Sequence, residues 1–150
     1  MVRKTREAAL ATRETLLAAA LEVFRERGVT HTRLVDVAAR AGVTRGAIYW
    51  HFKDKAELFE AVCERGTLPA EALLAEASRS VQPDPLATLK RLALMALSQL
   101  ARHADTQAVF DVIFHKCEFT AELATVTQKN DANRDACLSR VQALIEQAVA

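Results

Sequence analysis

The sequence predicts an all-α protein. Only four Gly and three Pro punctuate its 150 residues, which leaves little for the turns of a β-protein. Ala and Leu are abundant, and both favour helix. Apolar residues also recur at spacings of three and four over long stretches, the signature of amphipathic helices. With 51% of residues apolar, the chain can bury one core and a second, smaller one, which excludes a disordered or fibrous protein.

The elements follow in order. Leu16, Leu17, Ala20, Val23 and Phe24 form the apolar stripe of a first helix over Glu7–Arg27, with Arg13, Glu14, Glu22, Arg25 and Glu26 between them. Gly28 ends it, since a residue without Cβ tolerates the left-handed conformation of a helix stop. Thr32 is the expected N-cap of a short second helix reaching about Ala41, with Asp36 favourable to its dipole. Gly42 makes the turn, and Thr44 caps a third helix from Arg45 to about Phe52. Asp54 caps a fourth carrying Leu58, Phe59, Val62 and Cys63. An interior proline removes a hydrogen bond and clashes with the preceding turn, so Pro69 predicts a break between Gly66 and Pro69.

Ser80-Val-Gln-Pro-Asp-Pro85 is the clearest loop, with Asp84 as cap and Pro85 at the first position of a fifth helix. That helix carries Leu86, Leu89, Leu92, Ala93 and Ala96. A sixth is expected over Asp105–Phe114 and a seventh from Ala121 onward. Leu138, Val141, Leu144, Ile145 and Val149 remain in helical register up to Ala150, so the expectation is a helix cut in mid-pattern and a chain incomplete at this end. The sequence contains no internal repeats.

No apolar run approaches the roughly 18–20 residues needed to cross a bilayer, and the charged N-terminus lacks a signal-peptide core. The expected location is the cytoplasm, without membrane association. Cys63, Cys117 and Cys137 are odd in number and unpatterned, so they predict ordinary thiols and no metal clip. His115 and Cys117, two residues apart on a helix, would face different ways and form no catalytic dyad. Neither an enzyme nor a bound metal or cofactor is expected.

Charge is unevenly distributed. Residues 1–55 hold eleven Lys/Arg against six Asp/Glu, whereas the remainder holds nine against thirteen. A basic front joined to a mildly acidic body points to a polyanionic partner.

The segment RLVDVAARAGVTRGAIYWHFKDK, residues 33–55, concentrates this chemistry. Leu34, Val37, Ala38, Ala41, Val43 and Ile48 form an inner set; small Ala38 permits close crossing of two helices, and Gly42 supplies the positive φ of the turn. Thr44, Arg45, Gly46, Ala47, Tyr49, Trp50 and His51 remain outside, as expected of a helix-turn-helix whose second helix enters the major groove of duplex DNA. Arg45 is the expected base reader, because arginine donates in bidentate fashion to guanine O6 and N7. Ala47 suits contact with a thymine methyl, and Gly46 lets the backbones approach. Thr44, Tyr49, His51 and Lys55 suit phosphate, joined by the helix starts near Thr32, Arg33 and Asp54. Phe52 is expected to face inward.

GVTRGAIYWHFKDKAELF, residues 42–59, resembles the end of the DNA-binding domain in the TetR family of bacterial repressors. MVRKTREAALATRETLL at the start and FHKCEFTAEL at 114–123 resemble the AcrR/TtgR-like branch that controls multidrug efflux operons. The resemblance implies a DNA-binding domain over 1–53 and a helical ligand-binding domain over 54–150, lacking the last dimerisation helices. It further implies a homodimer in the full-length form, a palindromic operator, and release by small lipophilic or aromatic ligands such as antibiotics, dyes or plant-type phenolics. The positions matching the family's pocket lining are Leu89, Leu92, Ala93, Ala96, Phe110, Ile113, Phe114, Cys137 and Val141, each equally readable as plain core. A TetR-type regulator of a lipid or metabolite operon is the nearest alternative, and a helical ligand-binding protein without DNA activity is the alternative from another class.

Overall fold

The computed structural model describes residues 2–118 and 120–150 and holds no strand among them. Its helices are α1 (Val2–Arg27), α2 (Leu34–Arg40), α3 (Arg45–His51), α4 (Lys55–Glu64), α5 (Pro69–Ala77), α6 (Pro85–Arg102), α7 (Ala104–His115) and α8 (Ala124–Val149). A 3₁₀ turn, Ala121–Leu123, precedes α8. The all-α expectation holds, and none of these helices is long and apolar enough to cross a membrane. Phe119, within the second segment that carried the family resemblance, lies outside the described residues.

Packing divides the chain into two units, residues 1–66 with 108–124 and residues 67–107 with 125–150. This packing boundary differs in kind from the expected division at 53/54, which follows the sequence motif.

In the first unit, the α1 stripe is fully realised. Leu16, Leu17, Ala20, Val23 and Phe24 are buried, together with Val37 of α2, Ile48 of α3 and Leu58, Phe59 and Val62 of α4. Phe24 meets Phe59 edge to face, with ring centroids 5.9 Å apart, the arrangement aromatic quadrupoles prefer. Gly28 ends α1 at φ +80°, and the following amide of Val29 donates to the Lys116 carbonyl at 2.9 Å. At Gly66, a Cβ would stand 2.6 Å from Val109 Cγ1, so the end of α4 approaches α7 as only glycine permits.

Three helix starts confirm the capping chemistry. Thr44 Oγ1 accepts from the Ala47 amide at 3.2 Å, Asp54 Oδ1 from Glu57 at 2.8 Å and Asp84 Oδ1 from Ala87 at 2.9 Å. The Pro69 break also appears: α4 stops at Glu64 and Pro69 opens α5, where its missing N–H costs nothing. The start of α2 corrects the sequence reading. Its cap position is Arg33, and Thr32 is buried with its hydroxyl donating to the Gly28 carbonyl at 2.7 Å. The tight turn after α1 draws this hydroxyl back to the helix it follows.

The second unit is built on Leu74 of α5, Leu92 of α6 and Leu144 of α8, with Ala77, Leu89, Cys137 and Val141 packed against them. Gln82 ties its loop down, donating its amide to Gln147 Oε1 at 3.0 Å and its side chain to the Ala77 carbonyl at 2.9 Å.

Candidate nucleic-acid interface

Only seven residues long, α3 is too short to persist by itself, so its position is set by packing. Ile48 and the C-cap residue Phe52 anchor it, both essentially excluded from water. Burial of two such side chains supplies about 3–6 kcal/mol by area-transfer reasoning, a substantial offset to the entropy lost in ordering its two turns. Before it, Gly42 adopts φ +67° and Val43 donates to the Ala38 carbonyl at 3.0 Å, closing the turn from α2. The inward expectation for Phe52 is therefore met.

With Ile48 facing in, the rest of α3 faces out. Trp50 is 73% exposed and Tyr49 46%, although a packed aromatic would be nearly dry. Thr44, Arg45 and Gly46 are exposed, and Ala47 and His51 half-buried. A Cβ at Gly46 would meet nothing closer than Thr44 Oγ1 at 3.9 Å, so the protein's own packing gives no reason for glycine there. Burial, and then the charge of Arg13, hold the His51 imidazole below its ordinary pKa. His51 thus favours its neutral form, in which one ring nitrogen still donates. Its ring stands edge to face with Trp50 at 4.6 Å.

The cations sort into committed and uncommitted groups. Arg33 holds Asp36 with Nε and Nη2 at 3.1 Å each, which keeps the Asp36 carboxyl below its ordinary range. Arg40 reaches from α2 to Glu22 at 3.0 Å and Glu26 at 2.6 Å on α1. Lys55 turns inward: its ammonium donates to the Thr30 carbonyl at 2.9 Å and pairs with Glu122 at 3.0 Å, with only 11% of the side chain exposed. In this arrangement the lysine holds the start of α4 to the turn after α1, whereas the sequence expectation set it at phosphate. Thr32 is likewise internal, and Arg33 is exposed but already paired.

Arg45, by contrast, has no carboxylate partner among the described residues; its guanidinium lies over the Tyr49 ring, 5.6 Å from the centroid. Arg13 of α1 lies over Phe52 at 5.3 Å, which places a further cation beside the end of α3. Sequence reasoning missed Arg13 because α1 is remote from the motif along the chain, and only the folded crossing brings them together.

The positions matched to a ligand pocket do not gather in one packing unit. Leu89, Leu92, Cys137 and Val141 belong to the core of the second unit, as the plain-core alternative had it. Ala93 is exposed and Ala96 half-buried. Phe110 and Phe114 belong to the first unit and stack with centroids 5.8 Å apart and planes at 19°; Phe114 is largely exposed, and Ile113 beside them is half-buried.

His115 and Cys117 border one cleft of about 270 Å³ with Glu26, Arg27 and His31. Cys117 lies beyond the end of α7, so the helix-face argument against this pair does not apply. Burial, and then Glu118, push the Cys117 thiol above its ordinary pKa, which favours the protonated and unreactive form. No cluster of metal-ligating residues occurs among the described residues.

Comparison with known proteins fits this geometry. Residues 16–62 match the model described as bacterial regulatory proteins, tetR family, and residues 84–150 match the C-terminal region of MAATS-type transcriptional repressors. The chain belongs to the TetR family of bacterial regulatory proteins. It is similar to the HTH-type transcriptional regulator AcrR of Shigella flexneri, at 41% identity over 92% of this chain and 63% of that protein. The crystal structure of NalD, the secondary repressor of the MexAB-OprM multidrug efflux pump in Pseudomonas aeruginosa, matches with TM-score 0.77 and 38% identity. That match covers 96% of this chain and 69% of NalD. A SmeT–triclosan complex matches with TM-score 0.77 and 32% identity over 92% of this chain and 66% of SmeT; SmeT represses the SmeDEF multidrug efflux pump of Stenotrophomonas maltophilia. The chain spans less than two thirds of the length of the AcrR relative.

Proposed function

We propose that this chain is the DNA-reading and ligand-responsive part of a TetR-type transcriptional repressor that binds a palindromic operator as a homodimer and controls a multidrug efflux operon. The observation that carries the reading is the outer face of α3. Arg45, Gly46, Tyr49 and Trp50 are left free by a helix that the core otherwise fixes, in a chain similar to NalD and SmeT along most of its length. Arg45 reads base edges, Gly46 and Ala47 allow close approach, and Thr44, Tyr49, His51 and Arg13 contact phosphate. The protein acts in the bacterial cytoplasm, where its DNA lies.

Small lipophilic or aromatic ligands release the operator by favouring a conformation with lower DNA affinity. The triclosan in the SmeT complex supports that class of ligand. Phe110, Ile113 and Phe114 of α7, which their own core leaves at least partly open, are the better candidates for contacting it. Footprinting on the DNA beside the protein's own gene, with and without triclosan or a lipophilic cation, tests the reading. Protection of a palindrome near a pump operon that is lost on adding ligand is expected. Protection insensitive to such ligands moves the assignment to a lipid or metabolite operon, and no protection contradicts DNA reading altogether.

A further inference from the structure

Three arginines of the helix-turn-helix illustrate two ways of holding a guanidinium. Its five N–H donors lie in the plane of the group, and the faces carry none. Arg33 and Arg40 are held through that plane: Asp36 takes two donors of Arg33 at 3.1 Å, and Glu26 takes two of Arg40, at 2.9 and 2.6 Å. Donors engaged in this way are not available to a base. Arg45 has no such carboxylate among the described residues, and an aromatic ring is its neighbour instead. Tyr49 sits one turn further along α3, at the i,i+4 spacing that brings side chains together, and its ring lies under the Arg45 guanidinium at 5.6 Å. That distance is within the roughly 6 Å range of cation–π attraction.

We propose that Tyr49 is a specificity-determining positioning residue, its ring bracing the Arg45 guanidinium so that the donor edge is free and already oriented for a base. The inference rests on the proposed DNA reading and adds a division of labour within one side chain. The ring governs base discrimination through Arg45, while the hydroxyl governs affinity for phosphate. An unbraced arginine would lose more rotamer freedom on binding and would sample edges other than the one it reads. Exposure of both residues makes substitution at Tyr49 tolerable to the fold, because neither belongs to the core.

The test compares Tyr49→Phe, which keeps the ring and removes the hydroxyl, with Tyr49→Leu, which removes both, and with Arg45→Ala. Affinities are measured on the footprinted operator, on operators changed one base pair at a time, and on random DNA. At the base pair whose discrimination Arg45→Ala abolishes, Tyr49→Leu is expected to relax discrimination about two- to fivefold, the scale of an exposed cation–π contact. Tyr49→Phe is expected to keep that discrimination while weakening all sequences alike, and Tyr49→Leu should relax it no further in the Arg45→Ala background.

A second readout needs no DNA. Ring current should shift the Arg45 side-chain proton resonances upfield in the wild type and in Tyr49→Phe, and not in Tyr49→Leu. Equal weakening of every sequence by Tyr49→Leu, with discrimination intact, overturns the bracing role while leaving DNA reading standing, as does an unshifted Arg45 in the wild type. A wild type that does not distinguish operator from random DNA overturns the DNA reading and this inference with it.

Discussion

The two packing units use apolar residues differently. Of the twelve largest fully buried side chains among the described residues, only Leu144 belongs to the second unit; Phe24, Phe52, Phe59, Leu16, Leu17 and Ile48 are among those of the first. The second unit instead exposes Leu73, Val81, Leu86, Leu94, Leu97, Leu138, Ile145 and Val149. An exposed large apolar side chain therefore means different things in the two places. In the first unit, Tyr49 and Trp50 stand out against a core that takes in nearly every other large apolar side chain of its motif. In the second, exposed aliphatic side chains are common on α6 and α8, and no single one marks a site.

The largest test of this contrast compares Phe59→Ala with Leu97→Ala in urea or thermal unfolding. Phe59 is 1% exposed and Leu97 62%. The first substitution should cost about 3–5 kcal/mol and the second about 0.5 kcal/mol or less. Comparable losses would break the contrast between the units.

Lys55→Ala sharpens the account of the first unit. It removes the ammonium from the Thr30 carbonyl and from Glu122, so a stability loss of about 1–3 kcal/mol is expected, with the salt dependence of DNA binding unchanged. A flatter salt dependence with full stability would return Lys55 to phosphate.

Gly46→Ala should separate folding from reading. The space is open, so helix propensity raises stability by up to about 1 kcal/mol, while the added methyl lowers operator affinity. A stabilised variant with undiminished operator binding would show that close approach at Gly46 is not required.

The smallest effect concerns pH. The folded-state pKa of His51 is depressed, so the unfolded chain takes up its proton first as pH falls. Its contribution to stability is intact above the ordinary histidine value near 6.5, declines as pH falls from there toward the depressed folded value, and is then fully lost. Unfolding of wild type and His51→Gln between pH 7 and 5 checks this: the wild type should show the steeper decline, and parallel curves would contradict it.

The elements were legible in the sequence because their causes are local. Capping carboxylates and hydroxyls at Thr44, Asp54 and Asp84, glycine stops at Gly28 and Gly42, and the proline starts at Pro69 and Pro85 each act within a few residues of where they stand. The site was legible in part. Ile48 and Phe52 follow from helical periodicity, and the outer face of α3 is their complement. Residues fixed by contacts distant in sequence were not legible. Lys55 turns inward to Thr30 and Glu122, Thr32 bonds back to Gly28, and Arg13 reaches Phe52 from α1. A charged or hydroxyl side chain beside a DNA-reading helix looks available until the fold supplies it with a partner.

The central claim is that the outer face of α3 reads bases through Arg45, and titration of wild type and Arg45→Ala against the footprinted operator and against random DNA at one fixed salt concentration tests it most directly. The account predicts that operator affinity falls about fivefold to 150-fold, the range of one bidentate base contact, while affinity for random DNA falls far less. Equal losses on both DNAs would contradict it.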